Sequence, residues 1–349
     1  MAIENLTPFA AVCMPFMDLT NADIALIIVS GRFHMLAPEQ QASLEPLTPT
    51  AQQPPVPIGD SYVGQPGLSS LRWEGQAGCT RAGTDIYLHG HACAPQGQTV
   101  RQLSARVRVG VYERHAMIFG DRYWQRGFLG LRPSEPVPFA RMPLLYEKCF
   151  GGQLAQATAQ DAAAADRNPL GQGLYGSDAD ALGQPLPNLE DPAALIRVPQ
   201  DRPLPQGFGP VARGWMPRRA FAGTYDETWA TERAPLWPAD VDPRFLSAAA
   251  PGLFASPHLQ GGEEVRLTGL HPGGTIQFRL PCWPLVAKLR FARRVERYRL
   301  RLETVLLEPD ELMVTLIWRL SVAVRPNMLQ LSQSVVRVLE PWEQSPADE

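Results

Sequence analysis

Carboxylates set beside aromatic residues are the first groups in this 349-residue sequence whose types and spacing could do chemistry. Glu190-Asp191, Asp226-Glu227 beside Trp229, and Asp240 and Asp242 around Val241 resemble the pairs that a glycoside hydrolase sets across a cleft. On that reading the chain is a β-rich hydrolase acting on carbohydrate or peptidoglycan through Asp226, Glu227 or Asp242. Turn and cap chemistry explains the same residues, because Asp accepts backbone N–H bonds and Asp242-Pro243 opens a turn. No catalytic residue is assigned.

His89 and His91 have the spacing of two ligands on one strand face, with Asp85 and His115 as further donors. Alternation from Thr84 to His91 also places Asp85, Tyr87, His89 and His91 together as the polar face of a half-buried strand, and this is the preferred reading. No metal is expected. Gly171-Gln172-Gly173-Leu174-Tyr175-Gly176 spells the dinucleotide fingerprint. That fingerprint needs a strand before it and a helix after it, whereas Asn168-Pro169 precedes here and Ser177-Asp178 with later prolines follows. No cofactor is expected. Basic residues run from Lys288 to Arg301 through Arg290, Arg293 and Arg294, and a strand would put Arg297, Arg299 and Arg301 on one face. Such a ridge could receive an acidic partner segment or serve as a solvated outer face that resists edge aggregation.

These residues need elements to hold them. Proline, at 35 residues, is about twice its usual share and disfavours helix. With 45% hydrophobic and 19% charged residues the chain reads as a mainly β protein. The expected architecture is one large composite antiparallel sheet or sandwich domain over residues 1–340, with few short helices, a long Pro/Gly-rich irregular segment and an acidic, frayed tail over 341–349. A net charge of −3 offers no general field for nucleic acid or anionic lipid. The five cysteines are scattered and lack a C-x-x-C pair, as expected for small buried thiols. Neither a signal peptide nor a membrane span is read, so a cytoplasmic protein is expected.

Asp23 to Leu36 reads as a long buried strand, followed by a Pro/Gln-rich surface excursion from Pro38 to Pro57. Further strands are expected over Thr84–Ala92 and Thr99–Phe119, the latter a hairpin turning near Glu113-Arg114. The Ala-rich run Leu154–Ala165 is the candidate helix. Late in the chain, Leu289 to Thr304 and Leu312 to Val324 alternate around a turn at Glu308-Pro309-Asp310, and an apolar stretch follows at Val335–Leu339.

Between Asn168 and Phe245 the chain has neither helical nor strand periodicity, yet it is rich in Trp, Arg, Pro and Gly. Its words, with others outside it, carry a resemblance. GDSYVG at Gly59–Gly64, GTDIYLHGHACAP at Gly83–Pro95, FGDRYW at Phe119–Trp124, MPLLYEKCFGG at Met142–Gly152, NPLGQGLYG at Asn168–Gly176, LPNLEDP at Leu186–Pro192 and the run from Arg202 to Trp229 resemble a domain-of-unknown-function family. That family is encoded in bacterial type VI secretion clusters. The chain departs from it at Glu74–Thr80 and matches loosely after Leu280. The resemblance implies a non-enzymatic adaptor or chaperone that binds a toxic effector and helps to load it onto the spike protein. It carries no catalytic residues. Trp215, Arg218, Arg219, Asp226, Trp229 and Trp237 are candidates for partner contact or for building the fold, with Arg297, Arg299 and Arg301 as the basic ridge; fold-building is preferred for the central set because Trp is usually buried and buried Arg pairs with acid.

Overall fold

The computed structural model describes residues 3–40, 46–154, 158–292, 294–324 and 330–343. Three sheets form the body of a mainly β protein. The largest has six strands in the order Phe254–Ala255, Thr84–Leu88, Arg301–Glu308, Met313–Ala323, Asp23–His34 and Ala10–Met17. A five-stranded sheet runs Leu189–Glu190, Tyr112–Phe119, Gln102–Val109, Glu264–Thr268, Ile276–Arg279, and a four-stranded sheet runs Ile3–Asn5, Leu331–Val338, Leu285–Phe291, Val295–Arg299.

Most pairings are antiparallel, as the alternation predicts. Within these three sheets two are parallel: Thr84–Leu88 with Arg301–Glu308, and Ile3–Asn5 with Leu331–Val338. Both join strands far apart in sequence, which a hairpin cannot do.

One core unites the sheets. Ile27, Val29, Ile86, Val107, Ile118, Leu267, Phe278, Leu289, Val305 and Leu316 all belong to it. The opposite face of the six-stranded sheet is also covered: Leu26, Ile28 and Ile317 pack with Val56, and Tyr87 and Leu306 pack with Ala248 and Trp73. Double coverage explains why Ile24 to Gly31 is an unbroken buried run. It also corrects the expectation of a half-buried strand at Thr84–His91, since every residue from Thr84 to Leu88 is buried.

The hairpin turns at Gly110-Val111, not at Glu113-Arg114. Gly110 supplies the positive φ of 58° that the first corner of a two-residue turn requires. Arg114 is instead a buried strand residue whose guanidinium donates to the carbonyls of Pro205, Gly207 and Pro251, pinning the central segment to the five-stranded sheet.

The Pro/Gln-rich excursion is tied down at several points. Gln53 bonds both the N–H and the C=O of Arg32, and Leu47 and Val56 are buried. Residues 41–45 of that stretch lie outside the described set. The Ala-rich helix covers only Ala159–Ala165, capped by Thr158, and 155–157 lie outside the described residues. The late strand pair forms as Arg301–Glu308 and Met313–Ala323, but the chain breaks at Leu300, so Val295–Arg299 belongs to a different sheet. In the acidic tail Glu343 pairs with Arg337 at 2.6 Å, while 344–349 lie outside the described residues. Among the described residues no helix is long and apolar enough to cross a membrane.

Candidate functional site

Six-stranded-sheet residues, the loop Glu74–Cys79 and the central segment meet in a buried network of charges. At its centre is Glu74, 2% exposed, whose carboxylate accepts from Arg218 Nη2 at 2.6 Å and Arg213 Nε at 2.8 Å. Arg81 reaches the same carboxylate at 3.4 Å and lies 3.3 Å from Asp85. It also donates to Thr304 Oγ1 at 2.9 Å and to the Leu246 carbonyl at 2.9 Å. Asp85 accepts from the Tyr87 and Ser247 hydroxyls, both at 2.6 Å, and from the Ala248 N–H at 2.9 Å.

A second pair adjoins this one. Pairing between Arg301–Glu308 and Met313–Ala323 slips between Leu302 and Thr304, leaving Glu303 as the extra residue of a bulge. Glu303 meets Arg319 at 3.2 Å and accepts the Arg81 backbone N–H at 3.0 Å. Arg319 in turn donates to the carbonyls of Gly78 and Cys79, so the Glu74–Cys79 loop is wrapped around its guanidinium.

Burial and partners compete at each acid. Burial pushes the Glu74 carboxyl up, but Arg218, Arg81 and Arg213 together outweigh it and hold the group below its ordinary value. For Glu303 burial wins over Arg319 and Arg81, and the value is raised. Burial also raises Tyr87, with Asp85 adding to it.

Beside the network opens a cleft of about 420 Å³ between the strand Val295–Arg299 and the end of Met313–Ala323. Five guanidinium groups line it, from Arg81, Arg294, Arg299, Arg301 and Arg319, against the carboxylates of Glu296 and Glu303. Arg294 pairs with Glu296 at 3.1 Å. Val295–Arg299 is an edge strand, pairing only with Leu285–Phe291 among the described residues.

The sequence profile of a family described as an uncharacterized protein conserved in bacteria, DUF2169, matches residues 20–319. The chain belongs to this family. The match takes in every residue of the network from Glu74 to Arg319. No curated protein and no solved structure matches the chain.

The central signature of this DUF2169 member is placed as follows. Trp215 is buried and meets Tyr146 edge to face at 5.1 Å. Arg218, in the network, also donates to the carbonyls of Phe245 and Val211. Arg219 makes an exposed pair with Asp166 at 2.6 Å. Asp226 caps the helix Glu227–Glu232 by accepting the Trp229 N–H at 2.8 Å, while the Trp229 indole bonds the Leu236 carbonyl. Trp237 packs edge-on to Phe245, and Asp242 caps the short turn Pro243–Leu246 and pairs with Arg244. Asp240 accepts from Thr224, and Glu190 is buried against Arg122. The carboxylates picked out by sequence therefore hold turns and caps, and the structure does not bring Asp226 and Asp242 into a shared network.

The nucleotide-like motif also has a structural account. Gln172–Gly173 pairs in parallel with Phe150–Gly151, and the helix that follows, Asp178–Ala181, has four residues. Asn168, fully buried, donates to the carbonyls of Tyr146 and Phe150, and Asn188 donates to Phe119 O and Asp121.

The candidate metal donors are dispersed. Asp85 is in the network, His91 bonds Asp310 at 2.6 Å and His115 bonds Ser104 at 2.7 Å. Among the described residues no group of three or more His, Cys, Asp or Glu could hold a metal ion. Four cysteines are buried, burial raising Cys149 to about 12, but Cys282 is exposed.

The basic ridge does not form one face. Arg297 pairs with Glu343 at 3.6 Å, away from the cleft lining, whereas Arg299 and Arg301 line the cleft from two different sheets. Arg293 lies outside the described residues. Glu74, Arg81, Glu303 and Arg319 were not singled out by sequence reasoning. Their signal is charge inside apolar strand patterns, as in Leu302-Glu303-Thr304-Val305 and Ile317-Trp318-Arg319-Leu320, because a charge in a doubly covered strand needs a buried partner.

Proposed function

We propose that the chain is a non-enzymatic adaptor that binds a toxic effector of a type VI secretion system and helps to load it onto the spike protein, acting from the cytoplasm. The secretion context comes from the resemblance of the motifs between Gly59 and Trp229. A binding role is supported by one observation above all: the hairpin Trp124–Gly127 and Gly130–Pro133 carries Phe128 at 101% and Leu129 at 95% exposure on its tip.

Its base is fixed. Trp124 is 2% exposed in a satellite core with Phe150, Leu174 and Leu186, and Leu131 packs against the same cluster. Two large apolar side chains held in water by an anchored hairpin have no role in the chain's own core, and they present area to a partner with little ordering cost. The hydrolase reading gains no such support, since Asp226 and Asp242 serve as caps.

Replacing both Phe128 and Leu129 by Ser is expected to leave stability within ~0.5 kcal/mol, because neither side chain packs on anything. Apolar anchors of this kind contribute ~2 kcal/mol or more each, roughly thirtyfold apiece, so the double variant should bind its partner on the order of several hundredfold more weakly. Size-exclusion chromatography of co-expressed proteins reads the effect. Undiminished co-elution of effector and spike protein with the variant would remove the hairpin from the binding surface.

A further inference from the structure

Phe128 and Leu129 stand at the two corners of the hairpin, whose register closes with Gly127 opposite Gly130 and leaves them as a two-residue loop. Such corners usually carry Asn, Asp or Gly, which accept the positive φ that the turn asks for. Neither Phe128 nor Leu129 has a positive φ, and Gly130, at 123°, takes it instead. Turn chemistry therefore does not account for this apolar pair. Core packing does not either, since both side chains lie in water. What remains is contact with something outside the chain.

Charge around the tip narrows what that is. Arg126 and Arg132, the nearest charged residues on either side, are exposed, and their side chains have no ion pair or hydrogen bond among the described residues. Arg126 lies opposite Leu131 and Arg132 opposite Gln125, so alternation sends the two guanidinium groups to opposite faces of the ribbon. The acids nearest in sequence, Asp121 and Glu135, lie beyond the strand ends at the base, and Asp121 is 3.8 Å from Lys148. An apolar wedge with a cation on each side is complementary to a recess with apolar walls and carboxylates on both sides of its mouth. The chain's own apolar cleft, lined by Val211, Pro217 and Phe221, has the wrong sign for a second copy's tip, because its charged lining residues are Arg81, Arg218 and Arg244. A lipid surface is a poorer match, since a chain of net charge −3 gains little there from two arginines. We propose that the tip docks in an apolar pocket of the effector whose mouth carries carboxylates facing Arg126 and Arg132. This rests on the adaptor reading, in which the effector is the partner that gains solubility, and covering an exposed apolar pocket is what confers it.

The test holds the co-expressed effector on a sensor surface by a tag, washes off the bound chain and passes unmodified or variant full-length chain over it at about 50 mM and about 500 mM NaCl, which changes the screening length severalfold. Affinity of the unmodified protein should fall at least about threefold with salt, mainly through slower association. Arg126→Glu combined with Arg132→Glu should slow association about tenfold or more at low salt and reverse the salt dependence, while Arg126→Lys combined with Arg132→Lys keeps the salt dependence within about twofold. Phe128→Ser combined with Leu129→Ser should instead act mainly by faster dissociation, with the salt dependence retained. All six substitutions are at exposed positions and leave the buried base of the hairpin intact. Binding indifferent to salt, or association of the charge-reversed variant as fast as that of the unmodified protein, overturns the proposal and leaves the adaptor reading standing. Tip-dependent binding to the spike protein rather than the effector, to phosphatidylcholine–phosphatidylglycerol vesicles, or between copies of the purified chain overturns it as well, by giving the tip another occupant. Absence of any effector binding by the unmodified protein overturns both.

Discussion

Glu74→Ala is expected to destabilise the protein by ~3–5 kcal/mol, the range found when one partner of a buried ion pair is removed. The substitution leaves Arg218 and Arg81, 4% and 6% exposed, facing each other without their shared carboxylate. It also loosens the loop that carries Gly78 and Cys79, whose carbonyls satisfy Arg319. Urea unfolding followed by tryptophan fluorescence measures the change. A loss under ~1 kcal/mol, typical of an exposed pair, would contradict a structural role for the network. Adding Arg218→Met to Glu74→Ala should recover part of the loss, because an uncompensated buried charge is removed with it.

The same residue sets a pH signature. Glu74 is held below its ordinary 4.5, so its stabilising share is present above that value and is lost as pH falls through the folded value. Glu303 is raised by burial, so its share has the opposite sense, present at low pH and lost as pH rises through its folded value. Glu74→Gln deletes only the first contribution. Between about pH 5 and about pH 3 the unmodified protein should therefore lose stability more steeply than Glu74→Gln. Parallel curves would mean that Glu74 is not ionised against the arginines.

Gly173→Ala is the second large effect expected, and it tests whether the nucleotide-like motif builds the fold. Gly173 has φ of +98°, and a Cβ there would lie 2.6 Å from Pro187 Cδ. Strained backbone costs of order 1–3 kcal/mol and overpacking adds roughly 1–3, for a combined ~2–6 kcal/mol. Gly183 provides the contrast. Its φ is +79°, but nothing lies within 4 Å of an added Cβ, so Gly183→Ala should lose only the backbone share, about 1–3 kcal/mol. Thermal or urea unfolding of the two variants side by side decides it. Equal losses would show that Pro187 and Gly173 do not need their close approach, and that the motif is retained for something other than packing.

Much of the fold was legible because alternation is a local signal. Gln102–Val109 and the pair Arg301–Glu308 and Met313–Ala323 follow from period-two patterning, and Asp23–His34 from its unbroken apolar run. Turn placement was less legible, because the Gly110 corner and the strand character of Arg114 depend on what Arg114 bonds, residues 205–251. The break at Leu300 was hidden for a related reason. Tyr298, Leu300 and Leu302 alternate without interruption, yet the chain passes from one sheet to another there.

The network was least visible. Its members come from positions 74 to 319, and the pairing of Arg301–Glu308 with both Thr84–Leu88 and Met313–Ala323, together with the loops that carry Glu74 and Arg218, brings them together. Glu74–Thr80, a stretch inside the family match, contains the carboxylate on which the central Arg218 closes. Trp215 and Arg218 read as fold-building candidates on general grounds, buried Trp and paired Arg; both are buried and Arg218 pairs with Glu74, a partner that the sequence does not name. The exposed tip at Phe128-Leu129 lies next to the FGDRYW words and was passed over, because two apolar residues in a row read as an ordinary buried segment until the hairpin geometry shows them in water.

The measurement that tests the adaptor account most directly is co-expression of the chain with a type VI effector and spike protein from the same genome, followed by size-exclusion chromatography. The account predicts a discrete complex in which the effector gains solubility from the adaptor and both partners co-elute with it. Separate elution of all three, with no gain in effector solubility, would contradict it.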